Sequence, residues 1–125
     1  MLRFGTIGSG WIVDEYIHGA KDSGLWELTA VYSRTAERAQ AFAQKHGAPL
    51  WFTDLEEMAA SPQIDAVYIA SPNALHFEQC RLFLERGKHV LCEKPLCAQG
   101  DKVAQLQQLA QERGLVFLEA IMYLH

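Results

Sequence analysis

Phe4-Gly5-Thr6-Ile7-Gly8-Ser9-Gly10-Trp11-Ile12-Val13 decides the fold. An apolar strand runs into two spaced glycines, and a helical pattern begins at once. Gly8 can adopt the backbone angles of a tight strand-to-helix turn, and Gly10 has no Cβ to block an approaching ligand. The helix that follows would aim its free N–H groups and positive dipole end at the mouth of the turn. That geometry suits an anionic phosphate, above all a pyrophosphate.

Outward from the turn, strand and helix patterns alternate to the end of the chain. Arg3 to Ile7 reads as a buried strand. A helix is expected over about 11–22, with Ile12, Tyr16, Ile17 and Ala20 on one face and Gly24 after it. Residues 27–32 read as the second strand. Thr35 can cap the next helix, whose apolar stripe is Ala36, Ala39, Phe42 and Ala43; Lys45 and His46 suit its negative end, and Gly47 stops it. Residues 49–52 make a short third strand. Thr53-Asp54-Leu55-Glu56 has the form of a capping box opening a short helix to about Ala60, which Ser61-Pro62 breaks.

Residues 65–70 are nearly all apolar, as expected of a central strand covered on both faces. Ser71-Pro72-Asn73 is a turn, with Asn73 placed to cap a helix to about Arg86 that buries Phe77, Cys80, Phe83 and Leu84 and stops at Arg86-Gly87. Residues 89–92 form the fifth strand, followed by the loop Glu93-Lys94-Pro95-Leu96. A helix over about 100–113 turns Val103, Leu106, Leu109 and Ala110 inward, leaves Gln105, Gln107, Gln108 and Gln111 as a solvated face, and stops at Gly114. Residues 115–120 are a sixth strand. Such alternation with short connections calls for an α/β, doubly wound parallel sheet with helices on both faces. The glycine turn after the first strand points to the Rossmann order 3-2-1-4-5-6. Residues 1–120 would be one dinucleotide-binding domain. Residues 121–125, lacking any stop signal, read as the start of a connection to a further, C-terminal substrate domain.

At 125 residues, half of them apolar, the chain can bury a real core. A net charge of −4 without a basic stripe argues against nucleic acid as a partner. No apolar run is long enough to span a membrane, and the N-terminus does not read as a signal peptide. Cys80, Cys92 and Cys97 form no Cys-x-x-Cys pair, which favours reduced structural thiols in a cytoplasmic protein over a disulfide frame or a zinc site.

In a sheet of this kind ligands bind outside the carboxyl ends of the strands. Those ends carry Gly8-Ser9-Gly10, Ser33-Arg34, Ser71-Pro72-Asn73, Glu93-Lys94-Pro95 and Glu119. The third glycine position of the turn is Val13, which would push the helix out slightly without removing the phosphate site. An NAD site usually has an acidic residue at the end of the second strand for the ribose hydroxyls. Here Ser33 can donate a hydrogen bond and Arg34 can pair with a 2′-phosphate or stack on adenine. NADP is therefore favoured, with NAD the alternative. Lys94, held between a carboxylate and a proline, can donate to a substrate hydroxyl or help move its proton.

The stretches GTIGSGWI, YSRTAERA, SPNALH, EKPL and EAIMY together resemble the Gfo/Idh/MocA oxidoreductase family across essentially the whole chain. The resemblance implies that Gly8, Ser9, Gly10, Trp11 and Ile12 hold the pyrophosphate. It implies that Ser33, Arg34 and Arg38 take the adenosine ribose and its phosphate. Ser71, Pro72, Asn73 and His76 would line the path to the nicotinamide, with Glu93 and Lys94 beside its ribose and the substrate. Lys94 would be the catalytic residue, and Glu119 and Ala120 would close the nicotinamide side. The family reading brings a sugar or polyol substrate, a second domain and a homo-oligomer; without that domain the chain would bind nucleotide but not turn over. Leu124 and His125 depart from the arginine often found after the Met-Tyr pair. Two rivals stay open: a non-catalytic dinucleotide sensor, indifferent to Lys94, and a methyltransferase, against which the missing acidic residue after the second strand argues.

Overall fold

A computed structural model describes residues 2–8, 17, 24, 26–70, 73–93 and 100–120, with 26, 73–76, 93, 100–103 and 118–120 described by backbone alone. Six strands, β1 (Leu2–Ile7), β2 (Trp26–Tyr32), β3 (Leu50–Phe52), β4 (Ala66–Ile69), β5 (His89–Glu93) and β6 (Phe117–Ala120), form one sheet ordered β3-β2-β1-β4-β5-β6. Every neighbouring pair is parallel. The doubly wound order expected from the glycine turn is the order observed. Four helices accompany the sheet among the described residues: α1 (Ala36–His46), α2 (Leu55–Ala60), α3 (Asn73–Glu85) and α4 (Gly100–Glu112). The helix expected over 11–22 lies outside the described residues except for Ile17, which is fully buried.

Alternation along the strands splits the core into two layers. Phe4, Leu28, Val31, Ala66 and Tyr68 pack with Ile17 and α1's Ala43 on one face. Ile7, Ala30, Val67, Ile69, Val90, Cys92 and Phe117 pack with Met58, Cys80, Phe83, Leu84, Leu106 and Ala110 on the other. All four residues of β4 are buried, as a central strand covered on both sides requires. Gly5 lies where β2 shifts register against β1, and a Cβ there would collide with the Met58 ε-methyl. Its bare backbone lets α2 close onto the sheet. Cys80 and Cys92 are buried and not joined in a disulfide, and no cluster that could hold a metal exists among the described residues.

Three helices end in the same way. Gly47, Gly87 and Gly114 take φ of 72°, 84° and 68°. The next amide in each case, from Ala48, Lys88 or Leu115, bonds back to the carbonyl of Ala43, Phe83 or Ala110 at 2.8–2.9 Å. This is the glycine-terminated turn in which a left-handed residue satisfies the last helical carbonyls.

Several local expectations are corrected. The short helix is capped by Asp54 rather than by a Thr53 capping box: Asp54 Oδ1 accepts from the Glu56 amide at 2.8 Å and the Glu57 amide at 3.4 Å. An aspartate one residue closer to the helix reaches two orphan donors at once. Asn73 is the first residue of α3, and its expected capping side chain lies outside what is described. Ala36 faces solvent, and the buried stripe of α1 is completed by His46, whose ring packs at a tilt against Phe42 with centroids 4.6 Å apart. β6 starts at Phe117, not Leu115, because the Leu115 amide is consumed in closing α4 and the Val116 amide donates to His89 Nδ1. Residues 105, 107, 108 and 111 are exposed, as expected.

Candidate functional site

Because all strands are parallel, their carboxyl ends share one edge. Register makes this concrete: Tyr32, Ile7, Ile69, Cys92 and Glu119 are successive Cα partners across the sheet. At ~4.8 Å per strand, three spacings separate β2 from β5, about 14 Å. Strand order reverses between β1 and β4, so a crevice opens above β1. Gly8 stands at its floor with φ of 104°, in the region L side chains rarely adopt. The turn therefore has the bare backbone that a phosphate cradle needs.

At the end of β2, the Ser33 amide donates to the Phe52 carbonyl at 3.2 Å, tying the start of the β2–α1 connection to the edge strand β3. Thr35 then caps α1, its Oγ1 accepting from the Arg38 amide at 3.3 Å. This cap fixes where α1 begins and so where Arg38 leaves the helix. Arg34 and Arg38 are both exposed. Beside them lies an open cavity of about 300 Å³ lined by Tyr32, Ser33, Arg38, Ala41, Phe42 and Lys45. Its described lining holds two cations, two hydroxyls and no carboxylate, a donor set that matches a phosphate monoester rather than ribose hydroxyls.

The other expected site residues divide by what is described. Asn73 and His76 sit in the first turn of α3, Glu93 ends β5, and Glu119 and Ala120 end β6; their backbones share the crevice edge. Glu93 and Ala120 are register partners. Ser9, Gly10, Trp11, Ile12, Ser71, Pro72 and Lys94 lie outside the described residues.

Lys45 was passed over in the sequence, where a basic residue in the last helical turn has a sufficient explanation in the helix dipole. Its spacing of seven from Arg38, two turns on one face, was the available signal.

At the opposite edge, sequence reasoning also passed over a buried lysine. Lys88 is 8% exposed, and its Nζ donates to the carbonyls of Ser61 at 2.6 Å and Ile64 at 2.8 Å. Nearby, Arg3 holds Asp65 through Nε and Nη2, both at 3.2 Å, while the Arg3 amide donates to the same carboxylate at 3.0 Å. Arg3 keeps the Asp65 carboxyl below its ordinary range, and burial pushes the Lys88 ammonium down. These groups sit at the amino ends of β1, β4 and β5, away from the crevice, and serve the fold.

A glycine turn after β1, a strand-order reversal above it and a cationic corner at the end of β2 define a dinucleotide-binding domain of the Rossmann type. The match to known proteins is specific. The family model described as "Oxidoreductase family, NAD-binding Rossmann fold" matches residues 2–120, and the chain belongs to that family, Gfo/Idh/MocA. It is 53% identical over 121 residues to scyllo-inositol 2-dehydrogenase (NADP(+)) IolU of Bacillus subtilis, covering 97% of this chain and 37% of that enzyme. It is 37% identical over 122 residues to D-xylose 1-dehydrogenase (NADP(+)) 2 of Haloferax volcanii, covering 98% of this chain and 38% of that one. Among solved structures, the 3-ketoreductase KijD10 of Actinomadura kijaniata, in complex with NADP and TDP-benzene, superposes with a TM-score of 0.88 at 34% identity, over 94% of this chain and 36% of that one. The chain thus spans little more than a third of the length of these relatives. No described helix is long and apolar enough to cross a membrane.

Proposed function

We propose that this chain holds NADP for hydride transfer between the nicotinamide and a hydroxyl or carbonyl carbon of a sugar or polyol. The observation that carries the reading is the end of β2, where Ser33, Arg34 and Arg38 stand in place of a carboxylate. A 2′-phosphate there meets a hydroxyl donor and two guanidinium groups, whereas a carboxylate would repel it. The NADP-linked relatives, 53% and 37% identical, support the same choice.

Gly8, Ser9, Gly10, Trp11 and Ile12 would receive the pyrophosphate. Ser71, Pro72, Asn73, His76, Glu93 and Glu119 would bound the nicotinamide half. The bound cofactor supplies the hydride-carrying ring. Lys94, following directly on the end of β5, would donate to the substrate oxygen and take or return its proton as the hydride moves. Residues 1–120 would form the nucleotide domain. The residues after 120 would lead to a second domain that completes the substrate pocket and the contacts of a homo-oligomer. The buried thiols of Cys80 and Cys92 suit a reducing, cytoplasmic setting.

Two measurements test this. Calorimetric titration should give tighter binding of NADP than of NAD, with the gap closing in Arg34→Ala; an unchanged preference in that variant refutes the assignment. In the full-length protein, Lys94→Ala should abolish hydride transfer across a panel of polyols while leaving NADP affinity intact. Full turnover in that variant would favour a different proton carrier.

A further inference from the structure

We propose that His89 is a proton-operated latch: its neutral ring fastens the start of β6 to β5, and protonation of the ring releases it. The Val116 amide donates to His89 Nδ1 at 3.0 Å, across 27 residues of sequence. A ring nitrogen that accepts from an N–H carries no proton of its own, so the ring is neutral and holds its proton on Nε2. A protonated ring has N–H donors at both nitrogens. Two donors would then face each other, and the bond is lost.

The neighbouring bonds make this one the titratable link of the α4–β6 connection. The amides of Arg113, Gly114 and Leu115 donate to the carbonyls of Leu109, Gln111 and Ala110, which no pH change alters. The Val116 amide, next in the run, is held by an imidazole instead. The Val116 carbonyl accepts from the Val90 amide at 2.9 Å, so both of its main-chain polar groups are tied to β5. Val116 is 51% exposed, so water can take over its amide when the ring lets go. Opening is therefore local, at an outer strand of the sheet.

The described carboxylates at this end of the elements packed against β5 already have partners. Asp65, ahead of β4, is held by Arg3; Glu85 of α3 is paired with Arg81 at 2.6 Å; Glu112 of α4 accepts from Gln108 at 3.2 Å. Arg86 and Arg113 are exposed at the same edge, and Lys88 is buried beside it on the carbonyls of Ser61 and Ile64. Among the described residues, a protonated ring thus meets cations and committed carboxylates rather than an ion pair that would hold it in place.

The experiment uses the full chain with 15N-labelled histidine and follows ring nitrogen shifts and Val116 amide exchange across pH by NMR. At neutral pH, Nδ1 should show the shift of an unprotonated nitrogen and Nε2 that of a protonated one. As the ring titrates, Val116 exchange, corrected for the intrinsic pH dependence of amide exchange, should rise about threefold to tenfold, the loss of one hydrogen bond. The amides of β4 should not change with it. His89→Asn, whose side-chain oxygen can accept the same amide but does not titrate, should show no such rise. A ring that carries its proton on Nδ1 at neutral pH would overturn the proposal, and the wild type alone decides this, whether or not the variant folds. Val116 protection that ignores the titration of the ring would also overturn it. So would a rise of equal size in His89→Asn, which would assign the response to another group.

Discussion

At position 88 the chain buries an ammonium group and satisfies it with two carbonyls of the α2–β4 connection, those of Ser61 and Ile64. Lys88→Met would keep the apolar stem and strand both acceptors, for a loss of about 1–3 kcal/mol at pH 7 in denaturant unfolding. Burial lowers the folded pKa of Lys88, so the unfolded chain binds this proton more tightly. The cost of keeping the group charged is then relieved as pH climbs from the folded value toward the ordinary 10.5. The stability gap between wild type and Lys88→Met should therefore widen between neutral and alkaline pH; a narrowing gap would contradict burial as the dominant influence. Asp65 acts in the same sense at the acid end: its folded pKa is depressed, so its stabilising pair with Arg3 is present above 3.8 and lost as pH falls through the folded value. Gly5 makes a second residue-scale test. Gly5→Ala drives a methyl into the Met58 ε-methyl and should destabilise by about 1–3 kcal/mol. In a Met58→Ala background the same change should cost clearly less, because the colliding atom is gone; additive losses in that double-mutant cycle would place the strain elsewhere.

The elements were legible in the sequence to the extent that each carried its own stop signal. Glycines after a basic or polar last turn marked the ends of α1, α3 and α4, and the structure closes all three through left-handed glycines. Starts were harder to place. Thr53 and Asp54 are both capping residues, and only the fit of Asp54 Oδ1 to two amides separates them. The first residue of β6 depended on His89, 27 positions away, whose Nδ1 takes the Val116 amide at 3.0 Å. No local pattern contains that information. Lys88 was illegible for a related reason: beside Gly87 it reads as a solvated charge, and its acceptors lie 24 and 27 residues upstream. The termination of α3 links these facts, since the Gly87 turn also aims the Lys88 amide at the Phe83 carbonyl. A Cβ at Gly87 meets nothing within 4 Å, so Gly87→Ala tests backbone conformation without collision. It should cost about 1–2 kcal/mol, and Gly87→Asn less, because asparagine tolerates the left-handed region better. Equal losses for the two variants, measured by thermal unfolding, would point to a cause other than φ.

For the whole molecule, the parallel sheet separates two tasks onto two edges. The amino ends of β1, β4 and β5 carry the Arg3–Asp65 pair and the Lys88 clamp, which consume their charges internally. The carboxyl ends present backbone and cations to the crevice: Gly8 at the floor, Ser33 and Arg34 after β2, and Arg38 in the first turn of α1. The glycine turn and the serine-arginine pair made that edge readable from sequence, because each is a local exception to the surrounding apolar pattern. The cavity along α1 was not readable, since it exists only once α1 is seated against β2. This division yields a prediction in space as well as in energy. A ligand bound at 100 times its dissociation constant stabilises by about 2.7 kcal/mol, so saturating NADP should raise the unfolding temperature by several degrees, and NAD at the same concentration by less. Hydrogen exchange should locate the direct effect. Amides around Gly8 and through residues 33–38 should become protected on adding NADP, at exposures too short to report global opening. Those around Arg3, residues 61–65 and Lys88 should not change at those exposures, because they lie at the far ends of the same strands and exchange there by local fraying. Protection appearing first at the Lys88 edge would mean that the nucleotide enters from the side the fold has sealed, and the division of tasks between the two edges would be wrong.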